Sequence, residues 1–243
     1  MFQLSTTYLV TITVAFCSIV YELLLAQTLS TIMGNTVLRY SITIGIYLAS
    51  LGIGAMLCEE KSKRSTVNRL VRIEVLLTIV GGLVVLLMNF FDVIQKLLYK
   101  NDFCSTPIIG DYSLALIVFY ILSHGIIVLI GILSGYEIPL LIAIGEKEKP
   151  QTTNVVLGMD YFGSLLGSIF FPLILLPGLG IFGIAFLTGL FNCIATITLL
   201  FTKKSEEKYK YLIIASVLGI MLLIGLLSAD TIKNFYTENF YYL

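Results

Sequence analysis

The sequence predicts an all-α, polytopic membrane protein with about seven transmembrane helices. Of its 243 residues, 58% are hydrophobic and only 12% are charged, and the mean hydropathy is +0.98. These values lie well outside the range of soluble domains. Because a hydrocarbon core of about 30 Å requires roughly 20 apolar residues per helix, apolar runs of that length mark the spans. They cover residues 7–29, 40–58, 70–91, 112–143, 154–176, 179–202 and 209–228 of a single transmembrane domain, 1–243.

The first span is expected to remain in the protein as a helix. Residues 1–7 contain no basic side chain, and the apolar run is too long for the hydrophobic region of a signal peptide. In the fourth span, the stretch SGYEIPLLI contains Pro139 two residues after Glu137. This proline predicts a helix that is unwound for one turn after Glu137 or kinked before Pro139.

Spans five and six are joined by LLPGLG, which predicts a tight hairpin. Gly178, Gly180 and Gly183 match the pattern G-x-G-x-x-G. In this chain the pattern joins two membrane helices and does not follow a strand of a βαβ unit, so it does not indicate a dinucleotide site.

Basic residues divide unequally between the two sets of alternate loops. Eleven of the 15 Lys and Arg residues fall in loops on one side, and four fall on the other. Since Lys and Arg in short loops are retained in the cytoplasm, we expect the N-terminus inside, the 59–69 and 203–208 loops inside and the C-terminus outside. The expected location is the cytoplasmic (inner) membrane of a prokaryote.

Several classes of function are not indicated. The 15 basic and 15 acidic residues balance, so the chain carries no electrostatic footprint for nucleic acid. Its four cysteines are scattered without metal-ligand or redox spacing, and we expect no metal and no cofactor. These cysteines are Cys17, Cys58, Cys104 and Cys193.

A shift of 115 residues relates the first three spans to the next three. It pairs Tyr21 and Glu22 with Tyr136 and Glu137, and Tyr47 with Phe162. Because the repeated unit contains three helices, the copies would cross the membrane in opposite directions. We therefore expect an inverted repeat with halves 7–91 and 112–202, followed by a final helix, 209–228.

Ionisable residues inside the spans are the candidate site residues, because a charge near the bilayer centre is tolerated when it faces protein or water. Glu137 and Asp160 are expected at similar depth across one hairpin, where they would share a proton or bind a cation, with Glu22 as a third acid. Glu74 is interpreted as an interfacial residue that pairs locally. The expected ligand-binding set is Tyr21, Glu22, His124, Tyr136, Glu137, Asp160 and Tyr161. In the alternative interpretation, each acid caps a helix or accepts a tyrosine hydroxyl, and His124 bonds a neighbouring helix.

Five segments resemble the N-terminal membrane domain of integral-membrane spermidine synthase-like proteins. They are GNTVLRYSITIGIYLASLGIGA, RIEVLLTIVGGL, SGYEIPLLI, MDYFGSLLGSIFFPLILLPGLG and LFN, and YELLLAQTL fits as well. The resemblance implies a soluble synthase domain that moves an aminopropyl group from decarboxylated S-adenosylmethionine to putrescine. The sequence ends at Leu243, where that domain would begin, so we expect no catalytic residue and no catalysis by this chain alone.

Two functional hypotheses follow. In the first, the chain is the membrane module of a spermidine synthase-like system, whose buried acids bind or transport a small cation such as a polyamine. In the second, it is a non-catalytic anchor for a separate, soluble synthase-like partner. The expected partners are the lipid bilayer, a small cationic ligand and that partner chain. A cytosolic synthase domain would conflict with a C-terminus outside the cell.

Overall fold

The computed structural model describes residues 2–58, 65–100, 107–109, 112–205 and 207–240. This part of the chain is helical apart from a short antiparallel ribbon of two strands, β1 (Pro107–Ile109) and β2 (Tyr112–Ser113). The helices are α1 (Phe2–Met33), α2 (Thr36–Met56), α3 (Thr66–Gly82), α4 (Val84–Lys100), α5 (Leu114–Gly135), α6 (Glu137–Glu148), α7 (Thr153–Phe170), α8 (Leu176–Thr202), α9 (Lys208–Leu227) and α10 (Ala229–Phe240), with one π-helical turn, Phe171–Leu175, between α7 and α8. Cys104 and residues 59–64 of the predicted cytoplasmic loop lie outside the described residues.

Several helices are long and apolar enough to cross a membrane, as the sequence predicts. Within the described residues, five helical runs meet this condition, and a bent pair, Thr66–Gly82 and Val84–Tyr99, makes a sixth. The five runs are Leu4–Met33, Thr36–Met56, Leu114–Glu148, Thr153–Thr202 and Lys208–Leu227. The predicted number of seven spans stays a prediction.

The run Thr153–Thr202 doubles back on itself. Fifty residues of straight α-helix would extend about 75 Å. Glu148 and Lys203, which bracket this run, nevertheless form an ion pair. The backbone leaves the helical conformation at Gly180, where φ is 62° and ψ is 177°, a region that suits glycine. The reversal therefore falls within LLPGLG, where the sequence predicts a hairpin.

Two further breaks divide predicted spans. The helix of the fourth span is interrupted at Tyr136, and a new helix starts at Glu137 with Pro139 in its first turn. Proline has no N–H and its ring clashes with the carbonyl four residues earlier, which here belongs to Gly135, so the kink precedes the proline. The third span, expected as one helix over 70–91, is instead two helices bent by 44°.

Glycines allow the closest approaches between helices. Helix α1 packs mainly on α7 and α8, while α2 packs on α5 and α3 on α8. A Cβ atom at Gly163 would overlap the carbonyl oxygen of Ile12, and one at Gly135 would overlap that of Leu51. Small residues at such contacts are typical of membrane helices, where backbones approach closely and pack by dispersion.

The two ends of the bundle gather different loops. At one end, which we call the basic end, the Lys203 ammonium donates to the Thr7 hydroxyl at 2.9 Å and the Lys147 ammonium donates to the Thr66 hydroxyl at 2.7 Å. The opposite end holds Arg39 and Lys96. The basic end thus contains side chains that the sequence assigns to the cytoplasm.

Candidate functional site

A buried polar cluster surrounds Tyr21 in the interior of the bundle. The Tyr21 side chain is fully buried, and its ring lies so close to Gly81 of α3 that a Cβ atom there would overlap it. The Asn192 amide of α8 donates to the Tyr21 hydroxyl at 3.3 Å. Tyr21 thereby links three helices, and Asn192 is a site residue that sequence reasoning missed.

Tyr47 forms a second polar junction next to this cluster. Its hydroxyl lies 3.0 Å from the Ser18 hydroxyl and 3.1 Å from the Ser134 hydroxyl, and it donates to the Ser18 carbonyl at 3.0 Å. These contacts join α2 to α1 and α5. A tyrosine hydroxyl both donates and accepts, so one side chain holds three helices together.

Glu137 faces the protein interior, as predicted. It is only 3% exposed, and it is the first residue of α6 after the break at Tyr136. Glu74 and Asp160 lie close enough to Glu137 for charges on the three carboxyl groups to interact. Within the described part of the chain, however, no hydrogen bond joins Glu137 to Asp160.

The interpretation of Glu74 as an interfacial residue is wrong. Its side chain is fully buried, and neither carboxyl oxygen has a hydrogen-bond partner in the described chain. The sequence contained an indication that Glu74 is buried. Leu70, Leu77 and Gly81 lie four, three and seven residues from Glu74 and therefore share its helix face. All three are buried, so this face of α3 points into the bundle.

The remaining predicted site residues lie at the edge of the cluster or away from it. Glu22 is 5% exposed and Asp160 is 9% exposed, so both are buried, while Tyr136 is half-buried at the kink. Tyr161 is 71% exposed and therefore faces away from the interior, contrary to expectation.

His124 is also outside the cluster. Its Nδ1 atom lies 2.8 Å from the Tyr120 carbonyl oxygen within its own helix. Tyr120 in turn accepts a hydrogen bond from Arg39 at 2.8 Å. The hydrogen bond of His124 thus stays within α5, and Tyr120, four residues before it, makes the contact with α2.

Four buried oxygen atoms in this part of the bundle have no hydrogen-bond partner among the described residues. Both Glu74 oxygens, the Asn192 carbonyl oxygen and the Thr196 hydroxyl are buried without a partner in the described chain. A buried polar atom without a hydrogen-bond partner costs roughly 1–3 kcal/mol, so these four atoms are costly to bury. Among the described residues, no group of three or more His, Cys, Asp and Glu side chains could hold a metal ion.

Comparison with known proteins connects the chain to one group of enzymes. It is 33% identical over 187 residues, 76% of its length, to the polyamine aminopropyltransferase of Leptospira interrogans, and 31% identical over 234 residues, 94% of its length, to that of Oceanobacillus iheyensis. Polyamine aminopropyltransferase 1 of Streptomyces coelicolor is 28% identical over 87% of the chain. These matches span only 33–42% of the relatives' own lengths. No family model and no solved structure matches.

These relatives overturn the functional expectation. Both hypotheses treat the chain as a module that does not take part in catalysis, either a cation-binding or transport module or an anchor for a separate enzyme. The relatives are instead named as transferases, and the similarity to them extends over most of this chain. The chain is thus related, over 76–94% of its length, to proteins named polyamine aminopropyltransferase.

Proposed function

We propose that this chain is the membrane-embedded part of a polyamine aminopropyltransferase. The whole protein would transfer an aminopropyl group to an amine acceptor, and the chain would belong to the enzyme itself. The observation that carries this proposal is the similarity to transferases of several bacteria over 76–94% of the chain. The chain spans 33% and 42% of those two relatives, so the activity is a proposal about the whole protein.

The proposed arrangement has seven crossings of a prokaryotic inner membrane, with the basic end in the cytoplasm. The reversal at Gly180 supports two crossings within Thr153–Thr202, and the bent pair α3–α4 supplies one more. The Lys203 and Lys147 contacts support the orientation, because basic residues are retained on the cytoplasmic side. The lipid bilayer is the partner that this arrangement implies.

An inverted repeat of three plus three spans is part of the same proposal. Under the shift of 115 residues, α1 corresponds to α5–α6, α2 to α7 and α3–α4 to α8. The extensive contact of α1 with α7 then corresponds to the extensive contact of α5 with α2. Helices α3 and α8 are each other's counterparts, so their mutual contact lies between the two halves. This correspondence supports a single domain built from two related halves and a final helix.

We further propose that the cluster around Tyr21 is required by the transferase. Its members are Tyr21 and Glu137, as expected from the sequence, together with Glu74 and Asn192. Glu22, Tyr136 and Asp160 lie at its edge. Four buried polar side chains in a membrane interior are costly unless each has a role, which supports a functional assignment.

The function is tested on the intact protein in which this chain occurs. An affinity tag fused to a terminus of that protein allows it to be extracted from the membrane fraction. The tagged protein is then assayed with putrescine and decarboxylated S-adenosylmethionine, the substrates that the resemblance implies. We expect aminopropylated product in the tagged fraction. Activity that elutes without the tagged protein, or a tagged fraction that forms no product, would contradict the proposal.

A further inference from the structure

A cavity with three adjoining lobes lies at the end of the bundle opposite the basic end. Its walls come from α4, the start of α8 and the C-terminal helix α10, with Thr31 of α1. Asn89 and Tyr236 line all three lobes, so the lobes are neighbours around these two side chains. The lobes have volumes of about 250, 410 and 250 Å³, which together suit a small-molecule site.

The first lobe is polar and contains a buried ion pair. Asp92 is only 3% exposed, and its carboxylate lies 3.1 Å from the Lys96 ammonium. The Tyr236 hydroxyl donates to the same carboxylate at 2.6 Å. The Asn89 amide nitrogen donates to the Val85 carbonyl at 2.7 Å, which leaves the amide oxygen to accept from a ligand.

The second lobe is apolar and opens at the bundle surface. Phe90 and Phe235 line it and are 57% and 60% exposed, and Leu86, Phe182 and Phe240 complete its wall. The third lobe lies beside the Gly180 turn and carries an exposed acid and an exposed base, Asp230 and Lys233. A charged mouth, a polar pocket and an apolar surface therefore adjoin one another.

The balance of charge around the cavity restricts the ligand. Asp92 and Lys96 pair with each other, so the charges left open to a ligand are the exposed Asp230 and Lys233. A polycation would be repelled by Lys233, and a purely anionic ligand would be repelled by Asp230. A zwitterion meets an opposite charge at each of its ends.

We propose that this cavity binds a phospholipid with a zwitterionic, phosphoethanolamine-type headgroup. The headgroup contacts the charged side chains, and an acyl chain lies along the phenylalanines of the apolar lobe. Helix α10 forms the roof, because Tyr236 holds it to Asp92 and the Lys96 ammonium donates to the Phe240 carbonyl at 3.3 Å. This inference rests on the membrane embedding in the proposed function and not on aminopropyl transfer. The lipid site and the transferase function can therefore be disproved independently.

The test is native mass spectrometry of the intact protein, purified in mild detergent and incubated with phosphatidylethanolamine or phosphatidylglycerol of identical acyl chains. We expect one retained phosphatidylethanolamine per chain, in preference to phosphatidylglycerol. Asp230→Asn and Lys233→Gln should each lower retention about fivefold, since one charge near the headgroup contributes about 1 kcal/mol. Both side chains are exposed, so these changes should leave the fold intact.

Three controls make the result decisive. Lys204→Gln removes an exposed lysine at the basic end and should leave retention unchanged. The double variant Asp230→Asn/Lys233→Gln keeps the net charge of the protein and should still lose the lipid. If both lipids are retained equally and the variants have no effect, the binding is nonspecific and the proposal is overturned. Displacement of the retained phosphatidylethanolamine by spermidine would also overturn the proposal. So would displacement by soluble phosphoethanolamine that is as effective as displacement by the lipid.

Discussion

The carboxyl group of Glu74 is surrounded by protein and has no hydrogen-bond donor in the described chain. Replacing it with an amide removes a group that can carry a buried charge and supplies two N–H donors. We therefore expect Glu74→Gln to maintain or raise the stability of the purified protein, by up to about 1 kcal/mol. Thermal unfolding in detergent measures this, with the exposed Glu238→Gln as the matched control. A marked loss of stability in Glu74→Gln alone would show that the ionised carboxylate is needed for the fold.

The Tyr47 hydroxyl joins three helices through Ser18 and Ser134. Removing it in Tyr47→Phe should cost about 1 kcal/mol, because hydrogen bonds between membrane helices contribute about 0.6 kcal/mol each on average. The same change at the 71% exposed Tyr161 should have no measurable effect. Urea or thermal unfolding of both variants tests the difference, and equal losses would contradict the assigned role of Tyr47.

At the residue scale, burial of the acids is well predicted from the sequence. Contacts between particular side chains are predicted less well. Glu137 and Asp160 are buried as expected, because a charged group inside a span must face protein. Tyr161 and His124 lie outside the cluster because their spans are strongly apolar, and hydrophobic periodicity marks the inward side of such helices only weakly. Asn192 was missed because no charge distinguishes it within its span.

Glycine contacts determine how α2 and α5 pack. A Cβ atom at Gly54 would overlap the Ile132 carbonyl oxygen, whereas one at Gly52, half a turn away, would meet nothing within 4 Å. We expect Gly54→Ala to destabilise the protein by about 1–3 kcal/mol. Gly52→Ala should be neutral or slightly stabilising, since alanine favours the helix. The two unfolding transitions give the comparison, and equal stability of the variants would show that these helices do not pack through Gly54.

At the element scale, the sequence predicts most of the helices but not all of their ends. The kink near Glu137 and the turn at Gly180 were predictable because proline and glycine act locally. The bend at Leu83 was missed because it follows two glycines inside an apolar run that reads as one span. Helix α10 was missed because polar residues such as Asp230 and Lys233 are typical of a loop. The structure shows that Tyr236 and Phe240 attach this segment to α4.

The ion pair between Glu148 and Lys203 closes the hairpin of α7 and α8. Lys203 is 9% exposed and also donates to Thr7, so it connects the basic ends of α1, α6 and α8. Removing one partner of a buried pair leaves an uncompensated charge and costs about 3–5 kcal/mol. We expect Lys203→Met to be strongly destabilising and Lys204→Met, which changes an exposed neighbour, to be tolerated. Similar unfolding temperatures for the two variants would contradict this assignment.

The orientation of the whole molecule in the membrane can be determined by chemical labelling. In a variant without the four native cysteines, Lys204→Cys and Thr237→Cys place exposed thiols at opposite ends. We expect a membrane-impermeant maleimide to label Thr237→Cys in intact cells and Lys204→Cys only after permeabilisation, because basic loops remain in the cytoplasm. The reverse pattern would place the basic end outside.

The central claim is that the chain is part of a polyamine aminopropyltransferase, and the conversion of isotope-labelled putrescine by isolated membranes tests it most directly. Membranes are compared from cells that carry the gene for the protein containing this chain, cells that lack it and cells in which it is restored. With decarboxylated S-adenosylmethionine supplied, we expect labelled aminopropyl product in the first and third preparations and its loss in the second. Equal conversion by all three preparations would contradict the claim.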